Sequence, residues 1–122
     1  MTMGAESRVR VCRRDELASG TVRTASLTRG AFGEPRSALV VLDEDGEVRA
    51  YVNRCKHLPI PLDGGSGDFW DDSRTHLLCG THGARYRISD GYCTSGPCEG
   101  SSLDRLVVIE VGGVIFVRDP GR

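Results

Sequence analysis

Apolar residues in this chain recur at every second position, in short runs divided by turn residues. No stretch of useful length repeats them at the three-to-four spacing of a helix with one buried face. Arg8-Val9-Arg10-Val11-Cys12 alternates like a half-buried strand, and residues 21–28, rich in Thr and Val, predict a second. Residues 13–20 between them predict a turn or one helical turn, and residues 30–37, with Gly33 and Pro35, a loop. Ala38-Leu39-Val40-Val41-Leu42 is an unbroken apolar run and the clearest strand. Asp45-Gly46 then predicts a hairpin that returns as Val48-Arg49-Ala50-Tyr51-Val52. Further on, residues 76–78 and 85–88 predict short strands, with a turn at Ser89-Asp90-Gly91 and a loop at Ser95-Gly96-Pro97. Residues 106–109 and 114–117 bracket Gly112-Gly113 as a closing hairpin. The expectation is an all-β fold, a small antiparallel β-sandwich or barrel.

Two stretches interrupt that pattern. Asn53 opens a loop in which Pro59 and Pro61 forbid a regular strand, and residues 79–83 form another. Each presents a cysteine and, two or three residues later, a histidine: Cys55-Lys56-His57 and Cys79-Gly80-Thr81-His82. Two thiolates and two neutral imidazoles are a donor set for a transition metal. Structural zinc held by two Cys and two His is one such site, although zinc loops more often pair Cys-x-x-Cys. Iron is the other.

Composition narrows the setting. A chain of 122 residues predicts one domain, 1–122, with a core that needs no disulfides. Sixteen basic against 17 acidic residues give a net charge of −1 and no electrostatic case for nucleic acid. The polar N-terminus and the lack of a long apolar run predict a soluble, cytoplasmic protein without a membrane partner. Five cysteines, an odd number, fit metal binding in a reducing compartment better than a disulfide framework.

With its two Cys/His loops, the chain resembles the Rieske [2Fe–2S] family over about residues 8–118. The second loop continues as His82-Gly83-Ala84-Arg85-Tyr86, close to the family's Cys-x-x-His-Gly box followed by an aromatic residue. Asp90-Gly91, Gly96-Pro97 and the hairpin at Gly112-Gly113 match the family's glycine turn, covering loop and closing strands. The resemblance implies one [2Fe–2S] cluster per chain, bound by Cys55 and Cys79 on one iron and His57 and His82 on the other. It also implies a cluster-binding subdomain of two loops, about residues 53–99, inserted in the β body. Tyr86, Gly83 and Pro97 would surround the ligands, with the Tyr86 hydroxyl offered to Cys79.

The resemblance is nearest to the soluble ferredoxin branch. Ile60 and Thr81 stand where high-potential members carry a disulfide, and Ala84 where they carry a serine. The implied midpoint lies low in the Rieske range, nearer about −150 mV than +300 mV. The implied function is one-electron transfer from a ferredoxin reductase to a terminal oxygenase, without a catalytic site. The alternative is a small Rieske subunit of a larger redox enzyme, such as an NAD(P)H nitrite reductase. Beyond the four ligands only His76 remains among the histidines, so a mononuclear iron site of two His and a carboxylate is not expected.

Some residues stay outside the scheme. The connection from His57 to Cys79 is long, and its Phe69-Trp70 pair reads either as packing or as a docking patch. Arg87 replaces a common family acid, so a local salt link is expected to be lost. Cys12 reads as a buried hydrophobe and His76 as a surface side chain. Cys98 follows Pro97 near the expected cluster; it and Cys93 are not assigned as ligands.

Overall fold

The alternating runs form nine strands in a computed structural model that describes residues 7–18, 20–56, 60–64, 66–80 and 83–121. They are β1 (Arg8–Arg13), β2 (Val22–Leu27), β3 (Arg36–Leu42), β4 (Val48–Val52), β5 (His76–Leu78), β6 (Arg85–Arg87), β7 (Cys93–Ser95), β8 (Val108–Val111) and β9 (Val114–Arg118). One 3₁₀ turn at Arg14–Glu16 is the only helical element among the described residues. The strands pair antiparallel in three three-stranded sheets: β1-β9-β8, β2-β3-β4 and β5-β6-β7.

The β2-β3-β4 sheet lies between the other two. Alternate side chains of a strand face opposite ways. Ala38 and Val40 of β3, with Ala50 and Val52 of β4, pack against Cys12, Ile115 and Val117 of the terminal sheet. Leu39, Val41 and Tyr51 point the other way, into a second cluster with Leu77, Tyr86 and Cys93. Burial on both faces is why β3 reads as an unbroken apolar run.

Two turns set the register. Asp43 holds the β3–β4 hairpin: its carboxylate accepts the Asp45 and Glu47 N–H groups at 2.9 and 3.0 Å and the Arg49 Nε at 2.9 Å. Gly112 and Gly113 both take positive φ, 56° and 78°, as a two-residue hairpin loop with the twist of its strands requires.

Several expectations shift. The strand expected at 106–109 starts at Val108, because the Leu106 N–H bonds the Ala50 carbonyl at 2.9 Å and its side chain joins the core. Residues 93–95, of which only Ser95 was expected in a loop, form β7. Cys12 is buried on β1. Phe69 is buried and the Trp70 indole N–H donates to the Gly20 carbonyl at 2.9 Å, so this pair packs the long connection onto the body. Arg87 is not left without an acid: it pairs with Asp90 at 2.6 Å and lies over the Tyr92 ring.

The Tyr51 hydroxyl donates to the Ile88 carbonyl at 2.5 Å, tying the central sheet to the turn after β6. Burial pushes this phenol up to about 12. Tyr51→Phe should lower unfolding stability by about 1–3 kcal/mol, the cost of a buried carbonyl left without its donor; urea denaturation measures it. Burial raises the Asp43 carboxyl, but the Arg49 bond and the two backbone donors outweigh it and leave it below the ordinary value. A depressed folded pKa stabilises above the unfolded pKa of about 3.9 and stops doing so as pH falls through the folded one. Asp43→Asn should therefore flatten the fall in stability below about pH 4, read as urea midpoints across an acid series.

Candidate iron–sulfur site

The central sheet delivers the first cysteine. After β4 the Asn53 N–H bonds the Ser37 carbonyl at 2.8 Å, and its buried side-chain oxygen accepts the Leu62 N–H at 2.9 Å. One amide thus clasps both ends of the first loop. Within it the Cys55 N–H bonds the Ile60 carbonyl at 2.8 Å.

The second cysteine follows β5 directly. Leu78 pairs with Arg85 across β5 and β6, and Cys79 opens the short connection between them. Its N–H bonds the Ala84 carbonyl at 2.9 Å, and the Gly83 N–H bonds its carbonyl at 2.7 Å. The loops are stitched together where the Gly80 N–H donates to the Leu62 carbonyl at 3.0 Å. A third segment leans on them. Gly96, with φ +97°, sits so close to the second loop that a Cβ there would lie 2.6 Å from the Ala84 Cα. Pro97 follows it, exposed.

Both thiols are buried, Cys55 at 2% and Cys79 at 0% exposure, in one apolar cluster with Leu62, Phe69, Leu77 and Tyr86. The Tyr86 hydroxyl stands among sulfurs. It accepts the Lys56 N–H at 3.1 Å, donates toward Cys98 Sγ at 3.3 Å and lies 3.7 Å from Cys55 Sγ. The expected partner was Cys79; the ligand thiol found beside the hydroxyl is Cys55, because β6 aims Tyr86 at the start of the first loop. Burial, then the Cys98 contact, push this phenol well above its ordinary range, against the pull of the Lys56 N–H. It stays protonated at neutral pH.

His57 and His82 lie outside the described residues. Cys93 is buried and its Sγ points to the Ser95 carbonyl at 3.2 Å; Cys98 is buried beside Tyr86. Cys12, Cys93 and Cys98 are free thiols. His76, half-buried, bonds Thr75 through Nδ1 at 2.9 Å and lines a cavity of about 460 Å³ with Trp70, Arg74 and Ile88. Sequence reasoning gave no role to Asn53 and Leu62, which clasp the loops; only the position of Asn53 at the loop's start hinted at its part.

The paired loops and the two buried thiols fit the sulfur-bound half of an iron–sulfur centre, since soft anionic donors in a water-poor site favour such clusters. The model of the Rieske [2Fe-2S] domain matches residues 7–112. The chain therefore belongs to the Rieske [2Fe–2S] domain family, and membership implies a [2Fe–2S] cluster. No curated protein sequence matches it significantly.

Solved structures share the fold at low identity. A chain in the reduced complex between oxygenase and ferredoxin of carbazole 1,9a-dioxygenase is 21% identical with a TM-score of 0.70, over 93% of this chain and 28% of that one. The terminal oxygenase of carbazole 1,9a-dioxygenase from Novosphingobium sp. KA1 is 22% identical, TM-score 0.71, over 96% and 30%. A chain in a complex of reduced oxygenase and oxidised ferredoxin is 21% identical, TM-score 0.67, over 97% and 98%. The protein spans less than a third of the length of the first chains it matches.

Tyr86→Phe should shift the cluster midpoint negative by roughly 20–65 mV, the equivalent of about 0.5–1.5 kcal/mol for one hydrogen bond to sulfur. Protein-film voltammetry reads this, and an unmoved midpoint would remove the bond from consideration.

Proposed function

We propose that the chain is a ferredoxin-type electron carrier that takes electrons singly from a flavin or iron–sulfur reductase and passes them to a terminal oxygenase. The observation that carries this reading is the match, over nearly the full length of both partners, to a chain in a complex of oxygenase with ferredoxin. Cys55 and Cys79 would hold one iron as thiolates, and His57 and His82 would hold the other through ring nitrogens. When bound, a [2Fe–2S] cluster supplies a one-electron couple, and two imidazoles in place of two thiolates raise its potential. The chain's own part is to keep water from the two thiols, to fix their loops through Asn53 and Leu62, and to hold a protonated hydroxyl at Cys55. Gly83 and Pro97 complete the surround.

In this reading the protein has no catalytic residue and works in a reducing cytoplasm, where its odd number of cysteines serves metal binding rather than a disulfide framework. Among the described residues no helix is long and apolar enough to cross a membrane. Residues 53–99 act as the cluster-binding subdomain of a single domain, 1–122. A second reading, a small Rieske subunit of a larger redox enzyme such as a nitrite reductase, draws on the first matched structures, where the matched part belongs to a much longer chain. Stable copurification with a large subunit would select it.

Reduced with dithionite, the protein should show an EPR signal with the low average g of mixed nitrogen and sulfur ligation. Stoichiometric zinc and EPR silence would overturn the assignment. His57→Ala and His82→Ala should each lose the visible bands and the bound iron; a variant that keeps both would exclude that ligand.

A further inference from the structure

Phe32 is 97% exposed, while Val111, the next most open large apolar side chain among the described residues, is at 53%. The ring does not ride on a slack loop. The Gly33 N–H bonds the Gly30 carbonyl at 2.9 Å, and the Gly30 N–H bonds the Glu34 carbonyl at 3.0 Å. The Glu34 carboxylate accepts the Phe32 N–H at 3.0 Å, and Arg29 Nη1 donates to the Gly33 carbonyl at 2.8 Å. A Cβ on Gly30 would lie 1.9 Å from Glu34 Oε2, so a side chain there would expel that carboxylate from beneath the turn. Two charged side chains thus hold a phenyl ring out in water.

The turn caps the β2–β3 hairpin at the end from which the first cysteine loop departs, since the Asn53 N–H bonds the Ser37 carbonyl. A groove joins the two, lined among others by Glu34, Pro35, Arg36, Arg54, Ile60 and Pro61. Its walls at Pro35, Ile60 and Pro61 are apolar. Its carboxylate, Glu34, is turned in on its own loop. Arg54 is exposed and in no ion pair among the described residues, whereas Lys56 nearby is paired with Asp104 at 3.1 Å.

We infer that the Phe32 turn, with this groove and Arg54, is where the reductase that supplies the protein's electrons docks, offering an apolar socket for the ring and a carboxylate for Arg54. The inference rests on the electron-carrier reading. A carrier needs a small, short-lived contact. In such a contact one aromatic anchor supplies most of the affinity, and one charge pair speeds the encounter. An anchor beside the loop of Cys55 brings the partner to the cluster end of the molecule, away from the far hairpin at Gly112-Gly113.

The test uses holoprotein and, as its probe, the cell fraction from the source organism that reduces it with NAD(P)H, followed as bleaching of the visible bands. Phe32→Ala should slow this reduction about ten-fold or more, with dithionite reduction and the EPR signal unchanged. Phe32→Trp should restore most of the rate, Arg54→Ala should weaken its salt dependence, and Val111→Ala should change nothing. Equal rates for wild type and Phe32→Ala would overturn the docking site and leave the electron-carrier reading standing. Dimerisation of the wild type that Phe32→Ala abolishes would assign the turn to a second copy and overturn the inference. If no fraction reduces the wild type, the electron-carrier reading fails and the docking site goes with it.

Discussion

A strand buried on both faces governs this molecule. β3 places Ala38 and Val40 in one core and Leu39 and Val41 in the other, each fully shielded from water. A slip of one residue would exchange the two sets of side chains between the cores, so packing specifies the register. The hairpin at Asp43 fixes β4 against it, so Tyr51 and the start of the first cysteine loop inherit the same register. The loop-bearing sheet then has a prepared surface to cover, which matters because its three strands are three residues each. Strands so short do not stand alone in water.

The site grows from that surface by few bonds. Asn53 closes the first loop, Leu62 passes the constraint to the second through Gly80, and Gly96 brings a third segment against Ala84. No disulfide joins the loops among the described residues, and Ile60 packs against the same cluster as the thiols. Backbone hydrogen bonds and apolar burial therefore hold the two loops against each other.

Much of this was legible from residue order. Period-two alternation exposed β1 and β4, unbroken apolar runs marked β3 and β9, and the two Cys/His loops pointed to the family. What stayed hidden depends on contacts distant in sequence. Residues 93–95 are too short and polar to announce a strand; they become one because Tyr86 offers Cys93 a partner. Leu106 looks like strand from its neighbours but spends its N–H on Ala50. The resemblance offered the Tyr86 hydroxyl to Cys79, whereas the packing of β6 sets it between Cys98 and Cys55. Arg87 found an acid three residues on in Asp90, a pairing visible in the sequence once Ser89-Asp90-Gly91 is seen as a tight turn.

Tyr86 also shows how protein chemistry divides one proton between two sulfurs. Its hydroxyl is nearer Cys98 than Cys55, 3.3 Å against 3.7 Å, and a phenol has one proton to give. Between neutral thiols, both weak acceptors, distance decides for Cys98. A thiolate at Cys55 would be roughly twice as good an acceptor, and the balance would move toward it. The Lys56 N–H holds the oxygen in place throughout, so the hydroxyl turns without travelling. Cys98 therefore offers the phenol its nearer sulfur in a buried pocket. An alanine there would leave the phenol with Cys55 as its one sulfur acceptor, and a bulkier apolar residue would crowd the ring. Small size and weak polarity are what the position asks for, and cysteine supplies both.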